Sequence, residues 1–203
     1  MIQYFADLPG LENALMRKRT RTYYDVGAGY ALAAEQLARC RPDMHIVALS
    51  RTNFRPNDPT PTNMAYLLGD AKQTLEDLQT ADVIADLYGA FTYDVYGQID
   101  LMRLYMEKLT QGGTAHIRFD GDHIAVVTTS GLMMLFSEWL SGLHLSGVSS
   151  TIGPNPSGPT SLASVVTMRK IVHEFRLPEI KLSGIKQFED DVVPFVVYGV
   201  QEK

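Results

Sequence analysis

Short β-type runs alternate with segments of helical period along most of this chain. The clearest case is the run at residues 23–26, which stops at Gly27 and precedes residues 30–39, where apolar side chains recur at helical spacing. Such alternation predicts an α/β fold in which a mostly parallel sheet lies between two layers of helices. The other six strands predicted for this sheet lie at residues 44–49, 65–68, 82–87, 114–119, 148–152 and 163–171.

The remaining predicted elements complete one domain that spans residues 1–203. Helices are predicted at residues 71–78, 94–109 and 131–143, after an N-terminal helical segment at residues 1–20. Residues 172–203 are predicted to form a C-terminal β-rich extension, with strand-like runs at 177–182 and 192–200. No repeat or linker divides the chain, and 203 residues are enough to bury one core.

The overall charge does not indicate a nucleic-acid partner. The chain has a formal net charge of -5 and a sequence pI near 5.5, whereas nucleic-acid-binding domains usually carry a basic face. The one basic cluster runs from Arg17 to Arg21, just before the first predicted strand. Two interpretations stay open for it: a solvated flank of the strand, or a surface that faces a ligand.

Cysteine and histidine usage favours a cytoplasmic protein without a metal. The single cysteine, Cys40, cannot form an internal disulfide. The N-terminus lacks the charged and apolar regions of a signal peptide, and no run of eighteen apolar residues is present, so no membrane span is expected. The five histidines do not follow metal-ligand spacing, so no metal site is predicted.

The most informative motif is Asp25-Val26-Gly27-Ala28-Gly29, where the first strand ends and a helix begins. Glycines at such a turn let the backbone approach a ligand without a clash from Cβ. The dinucleotide-binding motif has a third glycine at the start of the helix, and in this chain Leu32 occupies that position. No P-loop lysine follows, which argues against a nucleoside triphosphate.

The motif that begins at Asp25 resembles the first motif of the class I S-adenosylmethionine-dependent methyltransferases. Three later segments are similar to further motifs of that family and follow in the family's order. These segments are Leu68-Gly69-Asp70-Ala71, the run from Ala81 to Tyr88, and Leu109-Thr110-Gln111-Gly112-Gly113-Thr114. The resemblance covers roughly residues 20 to 120 and implies a three-layer α-β-α sandwich with a seven-stranded sheet.

The resemblance also implies S-adenosylmethionine as the cofactor and assigns roles to individual residues. The glycine loop would lie under the methionine part of the cofactor, and Asp25 would hold its cationic amino group. Asp70 would meet the adenine amino group, and Asp86 would end the fourth strand beside the transferable methyl. The implied cofactor-binding residues are Asp25, Gly27, Ala28, Gly29, Ser50, Arg51, Asp70, Ala71 and Asp86.

One residue departs from the family pattern. The family usually ends its second strand in Asp or Glu, which accepts hydrogen bonds from both ribose hydroxyls, and this chain has Ser50 there. A hydroxyl lacks the charge and the bidentate geometry of a carboxylate. Three alternatives stay open: weak cofactor binding, an acceptor supplied by Asn53 or Asp58, or loss of cofactor use.

The catalytic residues are the least constrained part of the prediction. Ligands of open α/β sheets lie beyond the carboxyl ends of the strands, which selects Tyr88 and Tyr93 after the fourth strand and His123 after the fifth. The tyrosines equally fit packing against the next helix. His123 is a candidate general base that Asp120 or Asp122 would tune, but a solvated turn is the favoured interpretation of this segment.

The leading functional hypothesis is methyl transfer to a small-molecule acceptor, with a homodimer as a possible assembly. Its alternatives are an inactive methyltransferase-like binding protein, which Ser50 favours, and a nicotinamide-dependent oxidoreductase, which Leu32 disfavours.

Overall fold

The computed structural model describes residues 5, 8, 10–53, 59–94, 96–120, 123–141, 147–153, 163–172, 174, 179–186 and 195–200. Within them, a seven-stranded sheet forms the centre of the fold, in the order β3-β2-β1-β4-β5-β9-β8. The first five strands pair in parallel, and β9 is antiparallel to both neighbours. The strands are β1 (Thr22–Val26), β2 (His45–Ser50), β3 (Met64–Leu68), β4 (Ala81–Leu87), β5 (Leu109–Asp120), β8 (Val148–Gly153) and β9 (Ala163–Lys170).

Helices cover both faces of this sheet because its central strands are apolar on both sides. One buried cluster joins the sheet to α1 (Leu11–Leu15) and α2 (Leu32–Cys40). A second cluster, on the other face, includes residues of α3 (Ala71–Asp77), α4 (Ala90–Tyr93) and α5 (Gln98–Lys108). The α/β class and the seven-stranded, mostly parallel sheet predicted from the sequence are therefore confirmed.

A second sheet, of four strands, contributes side chains to the same buried cluster as α3, α4 and α5. It comprises β6 (Ile124–Val127), β7 (Met133–Leu135), β10 (Ile180–Lys186) and β11 (Phe195–Val200), in the order β10-β11-β6-β7. Val196 and Tyr198 of β11 belong to the same buried cluster as Phe119 of β5. The Tyr198 hydroxyl donates to Gln98 Oε1 of α5 at 2.9 Å, which fixes this sheet against the helix.

The structure corrects three predicted elements. The helix predicted at residues 131–143 is wrong in its first part, because Met133–Leu135 pairs with β6 as a strand and α6 begins only at Phe136 and ends at Ser141. The helix predicted at 94–109 begins only at Gln98, as α5, because residues before it form a turn in which the Gly97 N–H donates to the Asp94 carbonyl at 3.0 Å; the short helix α4 precedes this turn and was not predicted. The fifth strand was predicted to begin at residue 114, but β5 begins at Leu109. An irregularity in its pairing with β4 accommodates residues 110–113.

The predicted C-terminal strands are found at β10 and β11, although residues 177–178 and 192–194 of the predicted runs lie outside the described residues. No helix in the part of the chain that the structure describes is long and apolar enough to cross a membrane. The described residues also contain no group of three or more His, Cys, Asp or Glu side chains suited to a metal ion.

Candidate functional site

A cleft lies where β1, β2, β3 and β4 end at the same edge of the sheet. Its volume is about 230 Å³, slightly below the roughly 300 to 1,000 Å³ typical of small-molecule sites. Three of its side chains, Arg51, Tyr88 and Tyr93, are 54%, 36% and 57% exposed, so the cleft is open to solvent. The lining residues are Gly27, Gly29, Leu49, Ser50, Arg51, Thr52, Gly69, Ala71, Tyr88, Gly89, Ala90 and Tyr93.

The base of the cleft is a direct backbone contact between Gly27 and Gly89. A Cβ added to Gly27 would lie 2.4 Å from Gly89 Cα, and a Cβ added to Gly89 would lie 2.5 Å from the Val26 carbonyl oxygen. Gly27 also has a φ of +73°, a value that L residues rarely adopt. Glycine is therefore required at both positions for the loops after β1 and β4 to meet.

Asp25 is a buried carboxyl without a full set of hydrogen bonds. Its side chain is 1% exposed, and its Oδ1 atom has no hydrogen-bond partner among the described residues. Its register partners on the adjacent strands are Ala48 and Ala85, both small. Burial, reinforced by the charge of Asp86, raises the pKa of Asp25 to about 7. A buried acceptor of this kind is costly unless a partner binds to it.

Asp86 holds the loop after β4 in place. Its Oδ1 atom accepts the Gly89 N–H at 2.8 Å, and its Oδ2 atom accepts the Phe91 N–H at 2.8 Å and the Tyr105 hydroxyl at 2.5 Å. The side chain is fully buried and does not line the cleft. Burial raises its pKa to about 6, although the three donors oppose the shift. The geometry gives Asp86 the task of placing Gly89 over Gly27.

Ser50 ends β2, as the sequence predicted, and it lies in a short hydroxyl turn. Its Oγ atom accepts the Thr52 N–H at 3.2 Å and lies 3.2 Å from Thr52 Oγ1. The Tyr66 hydroxyl donates to the Thr52 carbonyl at 2.8 Å and lies 3.2 Å from the Gly29 carbonyl oxygen, so it links this turn to the glycine loop. This edge of the cleft therefore presents hydroxyl groups. Asn53 is exposed beside it, and Asp58 lies outside the described residues.

Arg51 and Asp70 form an ion pair at the rim. Arg51 Nη2 donates to Asp70 Oδ2 at 2.6 Å, and Asp70 Oδ1 accepts the N–H groups of Lys72 and Gln73 as the N-cap of α3. The hydrogen bond from Arg51 is the main reason why the pKa of Asp70 is lowered. Both oxygens of Asp70 are thus already occupied by donors of the protein.

Tyr88 follows β4 in a left-handed backbone conformation, with a φ of +51°. Such a conformation is strained for a bulky residue and requires support from its surroundings. The buried side chain of Arg118 supplies part of it, because Arg118 Nε donates to the Tyr88 hydroxyl at 3.0 Å and the guanidinium lies 4.8 Å from the ring centroid. The support keeps the Tyr88 ring at the wall of the cleft.

The structure brings most of the predicted cofactor residues to one place. Gly27, Gly29, Ser50, Arg51 and Ala71 line the cleft. Ala28 lies beside them, with its N–H bound to the Leu49 carbonyl at 2.8 Å. Asp70 is at the rim, whereas Asp25 and Asp86 are buried beneath it.

The three catalytic candidates are placed differently. Tyr88 and Tyr93 line the cleft. His123 is a partly buried residue between β5 and β6 and does not line it. Asp122 and the side chain of Asp120 lie outside the described residues, so the structure does not address their proposed pairing with His123.

Sequence reasoning did not identify Tyr66, Tyr105 or Arg118 as parts of the site. Each lies within a strand or helix, where a tyrosine is expected to belong to the hydrophobic core and a single arginine matches no known motif. Gly89 follows Asp86 by three residues, and this spacing was the signal for a loop capped by an aspartate.

Comparisons with known proteins identify the fold. No protein-family model matches the chain, and no curated protein matches it. Among solved structures, an rRNA methylase from Streptococcus thermophilus is similar over 78% of this chain and 92% of its own, with 10% identity and a TM-score of 0.56. The plantazolicin methyltransferase BpumL, solved with a monoazolic desmethylPZN analogue and SAH, covers 76% of this chain and 77% of its own, with 11% identity and a TM-score of 0.56.

An O-methyltransferase family protein from Burkholderia thailandensis covers 86% of this chain and 58% of its own, with 11% identity and a TM-score of 0.51. In this chain, the antiparallel β9 distinguishes the sheet from the all-parallel sheets of dinucleotide-binding folds. The prediction made from the four sequence motifs is confirmed at the level of the fold: the chain has the fold of the class I S-adenosylmethionine-dependent methyltransferases.

Proposed function

We propose that this protein binds S-adenosylmethionine in the cleft and transfers its methyl group to a small acceptor. The observation that carries the proposal is the buried Asp25 carboxyl, whose Oδ1 atom has no partner among the described residues and whose pKa is raised to about 7. A cationic amino group is the natural partner for such an acid, because an opposite charge favours ionisation of a desolvated carboxyl.

The cleft suits this cofactor in two further respects. The glycines at positions 27 and 29 leave the backbone open to the ligand, and the ligand has no phosphate that would require a third glycine. Thr52 and Ser50 offer hydroxyls where the ribose would lie, and the ion pair of Arg51 with Asp70 would border the adenine. When bound, S-adenosylmethionine supplies an electrophilic methyl group attached to a sulfonium.

The protein's share of the reaction is positioning and the exclusion of water. Tyr88 and Tyr93 line the cleft beyond the glycine contact, and their rings would stabilise the positive charge of a sulfonium. Arg118 holds Tyr88 in its orientation. We place the acceptor against these two rings. The solved methyltransferases with this fold act on acceptors as different as rRNA and plantazolicin, so the preference for a small acceptor rests on the charge of this chain.

Isothermal titration of the full chain with S-adenosylmethionine and with S-adenosylhomocysteine tests the proposal. Binding of both ligands at one site per chain is the expected result. If neither ligand binds at millimolar concentration, the proposal is overturned, and the inactive binding protein becomes the better interpretation. Titration with NADH under the same conditions checks the oxidoreductase alternative, and no binding is expected.

Replacing Ser50 by aspartate is expected to tighten S-adenosylmethionine binding by roughly 10- to 100-fold, because an ionised acceptor adds a charge-assisted hydrogen bond to the ribose. The site is compatible with the change, since Ser50 already uses its side-chain oxygen to accept the Thr52 N–H. Titration of both proteins measures the effect. The matched control is Ser50→Asn, which has the shape of aspartate without its charge. Equal affinities of the two variants would contradict the ribose assignment.

A further inference from the structure

A small polar niche lies at the opposite edge of the sheet from the cleft, where β4 and β5 begin. Its volume is about 100 Å³, the space of roughly three water molecules, which suits a single tetrahedral oxyanion better than a nucleoside. The connection between α1 and β1 forms one wall and the turn at residues 110–114 forms the other. The lining residues are Ala14, Arg17, Arg19, Thr20, Asp82, Val83, Thr110, Gln111, Gly112, Gly113 and Thr114.

Basic side chains from two distant parts of the sequence lie at or beside this niche. Arg17 and Arg19 line it, and Lys18 is exposed between them. Arg169 of β9 lies beside the lining residue Gly112, since a Cβ added to Gly112 would be 4.0 Å from Arg169 Nη2. None of these four side chains forms an ion pair with another described residue.

The one carboxylate that lines the niche is committed to the protein itself. Asp82 Oδ2 accepts the N–H groups of Arg21 at 2.7 Å and Thr22 at 3.1 Å, and Asp82 Oδ1 accepts the Thr110 hydroxyl at 2.9 Å. Asp82 therefore forms an ion pair with neither Arg17 nor Arg19. Among the side chains that line the niche, two arginines stand against this one carboxylate.

The arginines are carried by a turn that the protein holds rigidly. The Thr20 N–H donates to the Arg17 carbonyl at 3.0 Å, and the buried Thr20 hydroxyl donates to the Ala14 carbonyl at 2.7 Å. Arg41 Nη2 adds a bond to the Thr20 carbonyl at 3.0 Å. A preformed turn reduces the ordering that a ligand must induce, and guanidinium groups match phosphate oxygens in bidentate geometry.

We propose that this niche, lined by Arg17 and Arg19 and flanked by Arg169 beside the Gly112 turn, binds a phosphoryl group. The sequence left the basic cluster at residues 17–21 open between a solvated flank and a ligand-facing surface, and the arrival of Arg169 favours the second. The phosphoryl group belongs either to a small phosphorylated molecule or to a nucleic-acid backbone. The niche is separated from the cleft by the length of β4, so its ligand does not compete with the cofactor.

Calorimetric titration of the full chain at low ionic strength with inorganic pyrophosphate, and separately with a short oligouridylate, tests the proposal. We expect at least one probe to bind, and Arg17→Gln with Arg19→Gln to weaken that binding by about tenfold or more. Pyrophosphate binding indicates a small phosphorylated ligand, and binding of oligouridylate alone indicates a nucleic-acid backbone. Arg169→Gln, at an exposed position of β9, is expected to weaken the same probe and provides a second variant.

The matched control removes the same charge elsewhere, by Lys181→Gln with Lys186→Gln on exposed β10. Since the net charge of the whole chain is -5, diffuse attraction does not favour either probe. Equal weakening by the control pair, or no binding of either probe at millimolar concentration, would overturn the proposal. Titration with S-adenosylmethionine is expected to be unchanged in the Arg17 and Arg19 variant, so this test is independent of the proposed methyl transfer.

Discussion

Gly27→Ala is expected to lower the free energy of unfolding by roughly 2 to 5 kcal/mol, which combines the cost of a left-handed alanine with that of an overpacked contact. The added Cβ would lie 2.4 Å from Gly89 Cα and 3.0 Å from the Ala90 nitrogen. Both are backbone atoms, and neither is the end of a side chain that could turn away. The loop after β4 must therefore shift, and S-adenosylmethionine binding is expected to be lost with it.

Gly29→Ala is the matched control for this prediction. Gly29 lies two residues later in the same loop, and its φ of +54° is also positive, but a Cβ there would meet no atom within 4 Å. We expect it to cost only about 1 to 2 kcal/mol, the cost of the backbone conformation alone. Urea unfolding with a common m-value measures both changes. Equal losses in the two variants would show that the contact with Gly89 does not constrain the site.

Gly89→Ala tests the same contact from the side of the loop after β4. Gly89 has a φ of −95°, so it does not carry the positive-φ cost of Gly27. Its Cβ would meet the Val26 carbonyl at 2.5 Å and Gly27 Cα at 2.8 Å. A loss of stability comparable to that of Gly27→Ala would show that the destabilisation comes from the close contact between the loops after β1 and β4.

The central sheet could be predicted from the sequence because each of its strands is a compact β-type run with local signals at its ends. Gly27 ends β1, and Asp70 caps α3 through its own side chain. These are short-range effects that a single sequence displays. Periodicity does not give the order of the strands, and no strand order was predicted.

The second sheet could not be predicted in the same way. Residues 133–135 form β7 only because β6 pairs with them, and β11 reaches β6 from more than sixty residues further along the chain. Strand formation there depends on partners and on burial rather than on a local pattern. The apolar spacing around Trp139 therefore suggested a longer helix than the six residues of α6.

The candidate site was predicted in its positions and not in its contacts. Asp86 was identified at the end of β4, yet its bonds to Gly89, Phe91 and Tyr105 assign it a task within the loop. The role of a carboxylate depends on which donors surround it, and Tyr105 comes from a helix nineteen residues later. Asp25 was predicted beside it, and there the surroundings leave an oxygen without a partner.

Asp25→Asn is expected to stabilise the protein above neutral pH while it weakens the binding of S-adenosylmethionine. The pKa of Asp25 is about 7 in the folded protein, whereas the ordinary pKa of an aspartate is 3.8. Between these values the folded state holds a proton that the unfolded state has released, so the wild-type free energy of unfolding falls as pH rises from about 4 to about 7. Asparagine has no proton to release, and we expect the variant to be roughly 2 to 4 kcal/mol more stable than wild type at pH 8.

Asp86→Asn is the contrasting variant. Asp86 is also buried with a raised pKa of about 6, but both its oxygens accept hydrogen bonds, and an amide group would face one of these donors without accepting from it. We expect this variant to be less stable than wild type at pH 5, where the raised pKa of Asp86 costs the wild type least. Urea unfolding at pH 5 and pH 8 measures both variants. A gain of stability in Asp86→Asn at pH 5, or none in Asp25→Asn at pH 8, would contradict the contrast between a fully bonded Asp86 and an Asp25 with one unpartnered oxygen.

The same ionisation should appear in cofactor binding. An ionised Asp25 and a cationic amino group coexist only between their two pKa values, so affinity for S-adenosylmethionine is expected to be about fivefold higher near pH 7.4 than at pH 6, and to fall again above pH 8. Methylthioadenosine carries the same adenosine without the amino group, and its affinity should not change over this range. Asp25→Asn should remove the pH dependence and weaken the binding of S-adenosylmethionine by roughly tenfold or more. If methylthioadenosine showed the same pH profile, the titrating group would lie at the adenosine end of the cleft, and Asp25 would not be the residue that holds the amino group.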